Sequence, residues 1–327
     1  MALNFWKSSH CQQWIFDKTE IWKQRAEDMK IYNEEEYNRL NIFWANFITA
    51  VATEGAHSQA NVGCKLRQQV IATAIIYFKR FYLRQSFRDM CPFLVASTAL
   101  FLACKVEEHT TLSVSSFLKN TAIVLPKRWG VTFETTSTKN GVVYDSEFIL
   151  VEILDCCLVV HHASRPMCPP PPPREIFDKN WNSGIFLIFF LNFLVKKMEN
   201  CGIFSEKLEN FEFFNLEAIE AQCQKVANDS LRCDVSLIFP PHVIGLSSIM
   251  VAMELMGRGE ELEAWLVEVD TDFEKVTDCV EQIYKMYTLW KSFDEKEEVK
   301  KLMAKLPKPN QQPPPQQQHQ HQQGYHL

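Results

Sequence analysis

Lys105 closes a run, Phe93 to Cys104, that contains no charged residue, and Glu147 stands further on among Phe148, Ile149 and Leu150. By spacing alone Lys105 is a helix-terminal cation that meets the negative end of the dipole and snorkels to water, and Glu147 is an ordinary exposed helix carboxylate. The remaining chemistry-bearing residues point away from catalysis. The glycine-rich loop, His-Arg-Asp loop and Asp-Phe-Gly triplet of a protein kinase are missing, as are Gly-x-Ser-x-Gly and His-Glu-x-x-His. His161 and His162 are adjacent, point to different faces of a helix, and read as surface histidines at a helix end. The eleven cysteines are scattered without a Cys-x-x-Cys pair, so they read as reduced thiols that fill the core. No metal and no cofactor is expected, and Asn228-Asp229-Ser230 is a glycosylation triplet without a secretory context.

The composition suits helices. Only 10 of 327 residues are glycine, which argues against a phosphate-cradling enzyme and a turn-rich β protein. A net charge of −6 is poorly matched to nucleic-acid backbones. Ile185–Val195 is the one candidate membrane stretch, and it is about half the roughly 20 residues that a spanning helix needs. No signal-peptide pattern opens the chain, so a soluble, intracellular protein is expected.

The elements that must position Lys105 and Glu147 follow from periodicity. Trp14, Ile21, Trp22 and Arg25 fit a short N-terminal helix. Asn33 reads as the N-cap of the next, with Glu34, Glu35 and Glu36 in its first turn. Leu66–Leu83 is an amphipathic helix with Val70, Ala74, Phe78 and Phe81 inside and Arg67, Lys79 and Arg80 in water. Pro92 opens a helix apolar on all sides, hence buried on all sides. A polar loop holds Pro126, Lys127 and Arg128, and a helix follows from about Tyr144 to Val159. Pro241 then opens a second uncharged helix, His242 to Met253. With Pro92 set on Pro241, Ala96 falls on Gly245, Thr98 on Ser247, Leu100 on Ile249 and Ala103 on Ala252, the mark of an internal repeat. Leu216–Leu231, Glu260–Val269 and Asp272–Lys291 complete the helices. Between the halves lies a block of foreign composition, opened by the polyproline run Pro169–Pro173, and the tail from Lys308 is low-complexity.

The stretch LRQQVIATAIIYFKRFY followed by PFLVASTALFLACKVEE, Leu66 to Glu108, resembles a cyclin box. Asn4-Phe5-Trp6 with Ser8-Ser9-His10, Asp155-Cys156-Cys157-Leu158, Phe239-Pro240-Pro241 and Leu289-Trp290-Lys291-Ser292-Phe293 narrow the resemblance to the C-type cyclins. It implies an all-α fold of two five-helix repeats. The expected organisation is an N-terminal anchor and helix (1–32), first repeat (33–162), atypical insertion (163–215), second repeat (216–306) and disordered tail (307–327). It implies a non-enzymatic regulatory subunit, nuclear, that binds and activates the cyclin-dependent kinase of the Mediator kinase module and meets other subunits of that module. Lys105 and Glu147 occupy the positions that grip the kinase near its mobile αC helix, with Leu94, Phe101 and Glu108 in support. A groove bordered by Trp6, Asn228 and Asp229 is expected to take a second partner. Lys79 stands where cell-cycle cyclins carry aspartate, which implies a different partner surface. Neither direct nucleic-acid binding nor membrane contact is expected. The alternative reading is a doubled cyclin fold that binds DNA or protein as general transcription factors do.

Overall fold

In a computed structural model the described residues are 5–54, 66–109, 113–131, 140–163, 212–259 and 272–306. All regular elements among them are helical. Two short helices, α1 (Ser9–Gln13) and α2 (Lys18–Gln24), precede α3 (Glu34–Thr53). Asn33 begins α3 as expected. Its Oδ1 accepts the Glu36 N–H at 2.8 Å while the Glu36 carboxylate accepts the Asn33 N–H at 3.2 Å, so two otherwise orphaned donors are satisfied.

Then come α4 (Gln68–Arg84), α5 (Pro92–Val106), α6 (Val114–Trp129) and α7 (Asn140–Ile153). Helix α5 is the axis of this first bundle. Pro92 takes its first position, where a missing N–H costs nothing. From Phe93 to Cys104 only Leu94 is not fully buried, because α3, α4, α6 and α7 all pack on α5. Ser97 and Thr98 survive there by donating to the carbonyls of Phe93 and Leu94 one turn back.

The second half repeats the device. Helices α8 (Glu212–Asp229), α9 (Val235–Ile238), α10 (Pro241–Leu255) and α11 (Phe273–Ser292) follow. Helix α10 lies between α8 and α11 as α5 lies between α4 and α7. Both central helices have 15 residues and a proline first. The last helix, α12 (Glu295–Ala304), returns to the first bundle and packs on α3 and α6. Its Glu295 accepts from Trp129 Nε1 at 2.8 Å and Asn46 Nδ2 at 2.7 Å, and Tyr32 donates its hydroxyl to the Leu302 carbonyl at 3.0 Å. The expected helix Glu260–Val269, the apolar stretch Ile185–Val195, most of the 163–215 block and the 307–327 tail lie outside the described residues. Helix α8 nevertheless starts inside that block, at Glu212. No helix among the described residues is long and apolar enough to cross a membrane.

Four expectations are corrected. Pro126 is in helix α6, not in a loop. It sits in the last turn, where few hydrogen bonds remain to lose, and buried Trp129 beyond it anchors the end. Helix α7 stops at Ile153, and Asp155 and Cys156 turn the chain with φ of 50° and 56°.

Lys79 and Arg80 are not in water. Lys79 is 4% exposed, donates to the Cys233 carbonyl and lies 4.0 Å from Asp234. Arg80 is fully buried and stacks on Trp14 at 4.8 Å. Lys79 therefore serves an internal joint. There Arg25 makes a two-point pair with Asp234 (2.5 and 3.0 Å) that Asn41 joins at 3.3 Å. Burial alone would raise the Asp234 carboxyl, but Arg25, Lys79 and Asn41 together hold it below the usual carboxylate range. This joint fastens α2, α3 and α4 to the start of the second repeat.

His162 is also buried, and His161 lies beside it in the extended chain after α7 rather than on a helix end.

Candidate docking site

On α5, Leu94, Thr98, Phe101 and Lys105 share a face by helical spacing. Thr98 and Phe101 are buried there, Leu94 is half-buried and Lys105 reaches solvent, and α7 packs alongside. Lys105 emerges at the last turn, where its cation also suits the helix dipole. Its Nζ donates to both carboxylate oxygens of Glu147, at 2.7 and 2.8 Å, and lies 4.3 Å above the Phe101 ring. Phe101 in turn meets Tyr144 edge-on at 5.8 Å. The structure thus brings Lys105, Glu147 and Phe101 together across two helices. Leu94 shares their face but lies three turns away, about 16 Å along the axis, so it supports that face without touching the pair.

Glu108 does not join the pair. It takes a left-handed turn (φ 49°) into solvent just past α5. Its neighbour Glu107 is the one turned inward, where it accepts from Thr73 Oγ1 at 2.7 Å and Gln69 Nε2 at 2.5 Å.

The pair has spare capacity. The Lys105 side chain is 42% exposed and that of Glu147 14%. An ion pair this wet adds about 0–1 kcal/mol to folding, so the fold does not depend on it. The ammonium keeps a third donor and the carboxylate keeps free lone pairs. Together they can bind a carbonyl and an N–H of another chain's backbone.

Beside them α7 presents apolar side chains that the sequence reading did not single out. Phe148 is 76% exposed, and Tyr144, one turn before it, is 45% exposed. The helical wheel of α7 is apolar on several sides, so it gives a direction only once the buried face is known. Val143, Ser146, Leu150 and Leu154 face the core, which leaves Phe148 pointing directly away from it. Large apolar side chains grouped around a polar pair on a monomer mark an interaction surface.

The second expected groove is partly assembled. Asn228 and Asp229 line an open cleft of about 290 Å³ between the repeats, with Thr49, Gln68, Lys225 and Arg232. Asp229 is committed inside the protein, accepting from Arg232 at 2.8 Å and from the Tyr287 hydroxyl at 2.9 Å. Trp6 does not line that cleft. It is 62% exposed and sits 5.2 Å from His242 at the head of α10. No group of three or more metal-ligating side chains occurs among the described residues.

Known proteins resemble this chain along its length. Cyclin-C of Caenorhabditis elegans is 86% identical over 100% of both chains. The chain belongs to the cyclin C family. Cyclin-C of Caenorhabditis briggsae is 73% identical over 100% of both, and that of Drosophila melanogaster 33% identical over 96% of this chain and 99% of its own. The family model for the cyclin N-terminal domain matches residues 59–156, which include α4 to α7 and hence both Lys105 and Glu147. Among solved structures, a chain of the yeast TFIIK complex (Kin28/Ccl1/Tfb3) superposes with a TM-score of 0.55 at 23% identity, covering 85% of this cyclin and 100% of that chain. A chain of the Chaetomium thermophilum CAK complex bound to ATP-gamma-S gives 0.59 at 18% identity, covering 92% and 87%. At such identities these neighbours show the shared all-α fold. As a cyclin, the protein is a regulatory subunit of a kinase complex and not itself catalytic.

Proposed function

We propose that this cyclin binds and activates the cyclin-dependent kinase of the Mediator kinase module in the nucleus, and through it regulates transcription by RNA polymerase II. The observation that carries the docking site is the Lys105–Glu147 pair, held at 2.7 and 2.8 Å across α5 and α7 beside the exposed Tyr144–Phe148 ridge. Its chemistry suits the kinase αC helix. That helix carries the glutamate that must pair with the β3 lysine before the phosphates of ATP are held for transfer. A rigid surface that grips αC backbone and packs apolar side chains on it stabilises the active arrangement. The Mediator assignment rests on the resemblance of the sequence to the C-type cyclins. The link to the polymerase is supported by a fold match to a chain of the yeast CTDK-1 complex, an RNA polymerase II CTD kinase (TM-score 0.51 at 16% identity, covering 87% of this chain and 75% of that one). A second partner within the module would use the seam between the repeats, near Trp6 and Asn228.

The test is co-precipitation and a kinase assay with the Mediator-type cyclin-dependent kinase. Wild type is expected to bind and raise activity, and Lys105→Ala/Glu147→Ala to lose most of both while unfolding at the same denaturant concentration. Full binding by the double variant would remove the pair from the reading. Exchange of the kinase for another of its class with no loss would remove the Mediator assignment.

A further inference from the structure

The seam between the N-terminal segment and the two repeats holds a histidine that the docking face does not use. His10, in α1, is 2% exposed. The groups facing it come from several elements: Arg80 from α4, and His161 and His162 from the chain after α7. Glu107 stands beyond His162 at 3.9 Å, and His242 heads α10. His10 Nδ1 accepts the backbone N–H of His161 at 3.1 Å. A ring nitrogen that accepts a hydrogen bond carries no proton, so His10 is neutral here with its hydrogen on Nε2. That Nε2 is buried without a partner among the described residues, in a cavity of about 30 Å³ that it shares with His162, Ser236 and Phe239. Phe5 packs edge-on against both His10 and His161, each at 5.5 Å, and against Trp6 at 5.3 Å. One imidazole therefore reads the His161 backbone and pins the residue that seats Trp6.

We propose that His10 is a proton-operated latch, which when neutral holds residues 5–14 in the seam and when protonated releases them together with Trp6. Protonation at Nδ1 destroys the acceptor for His161 and sets a second cation near Arg80. Burial first, then Arg80, His161 and His162, push the seated His10 down from 6.5 to about 2. The released segment regains an ordinary value near 6.5 and binds more protons. The seated form is thus favoured above pH 6.5 and loses ground as the pH falls below it, by on the order of tenfold between pH 7 and 5.5.

The test is hydrogen exchange of the full chain at pH 7.5 and 5.5, corrected for intrinsic exchange, with His10→Asn as the variant. Asparagine keeps an acceptor near the Nδ1 position and does not titrate. In wild type, protection of residues 5–14 should fall about tenfold relative to α5 on acidification. Cys157, whose thiol donates to Gln13 at 2.9 Å, should become open to alkylation in parallel, with rates taken relative to a free thiol at the same pH. His10→Asn should show neither change. Wild-type protection that tracks α5 at both pH values overturns the latch, as does a His10→Asn variant with the same loss. If His10→Asn fails to seat the segment at pH 7.5, nitrogen NMR of the wild-type histidines decides. A His10 unprotonated at Nδ1 until the segment is released supports the latch, and one that titrates near 6.5 with the segment still protected overturns it.

Discussion

Helices α5 and α10 each run 15 residues from a proline, and each is buried between its neighbours, yet their last turns differ. Ala96 and Gly245, Leu100 and Ile249, and Ala103 and Ala252 match in size and burial. At the same distance from the opening proline, Lys105 in α5 is answered by Glu254 in α10. Lys105 meets a carboxylate on α7. Glu254 lies close to Tyr284 on α11, whose hydroxyl is pushed up by burial and then by the Glu254 charge. Where repeat one offers a cation and an anion for another backbone, the last turn of α10 sets a carboxylate beside a phenol. The core positions are interchangeable because packing asks only for volume and apolarity. The exposed end is not, because a docking site needs specific donors and acceptors.

The largest effect expected from breaking this comparison lies at the joint of the two repeats. Asp234→Ala would leave Arg25 and Lys79 charged and buried without their carboxylate, and should lower the unfolding free energy by about 3–5 kcal/mol in urea titrations. The same carboxylate gives a pH dependence. Its native value is held below the unfolded one, so its contribution is present above the usual carboxylate range and is lost as the pH falls through the native value. Asp234→Asn should therefore flatten the acid limb of the stability curve.

Lys105→Glu, which installs the residue of repeat two, sets two carboxylates against each other. It should weaken kinase binding about 100-fold (roughly 2.7 kcal/mol) by calorimetry, with little change in stability. Ala103→Leu and Ala252→Leu overpack equivalent, fully buried sites and should each cost about 1–3 kcal/mol. A large inequality between them would show that the two cores are not equivalent.

Phe148→Ser removes an apolar side chain that the fold does not bury. It should reduce kinase affinity about tenfold (roughly 1.4 kcal/mol) without lowering the melting temperature. Glu254→Lys should change kinase binding by less than about twofold, since a lone lysine without a facing Glu147 is not a grip. A gain of binding there would mean that repeat two also docks.

Much of this was legible without coordinates. Pro92 and Pro241 followed by uncharged runs announce central helices, because a helix surrounded on every side has nowhere to place a charge. Asn33 with Glu36 marks the start of α3 for the equally local reason that helix-end donors need acceptors. Pro126 misled because its local cost is real but small in a last turn anchored by Trp129. Lys79 and Arg80 misled because long charged side chains are usually solvated. Their partners, Cys233 and Asp234 for Lys79 and Trp14 and Cys157 for Arg80, lie far away in the chain. Phe148 went unremarked because an apolar residue among apolar residues shows no direction until the core face of α7 is known.

By itself, then, the sequence determined the helical class, the doubled central helix and the terminal position of Lys105, since each follows from interactions within a few residues. Only the tertiary structure decided that Lys105 meets Glu147, that α12 folds back on the first repeat, and that His10 reads the His161 backbone. Those contacts join residues 42, 249 and 151 positions apart. Their strength depends on burial and on a geometry to within a few tenths of an ångström, which no local pattern of residue types encodes.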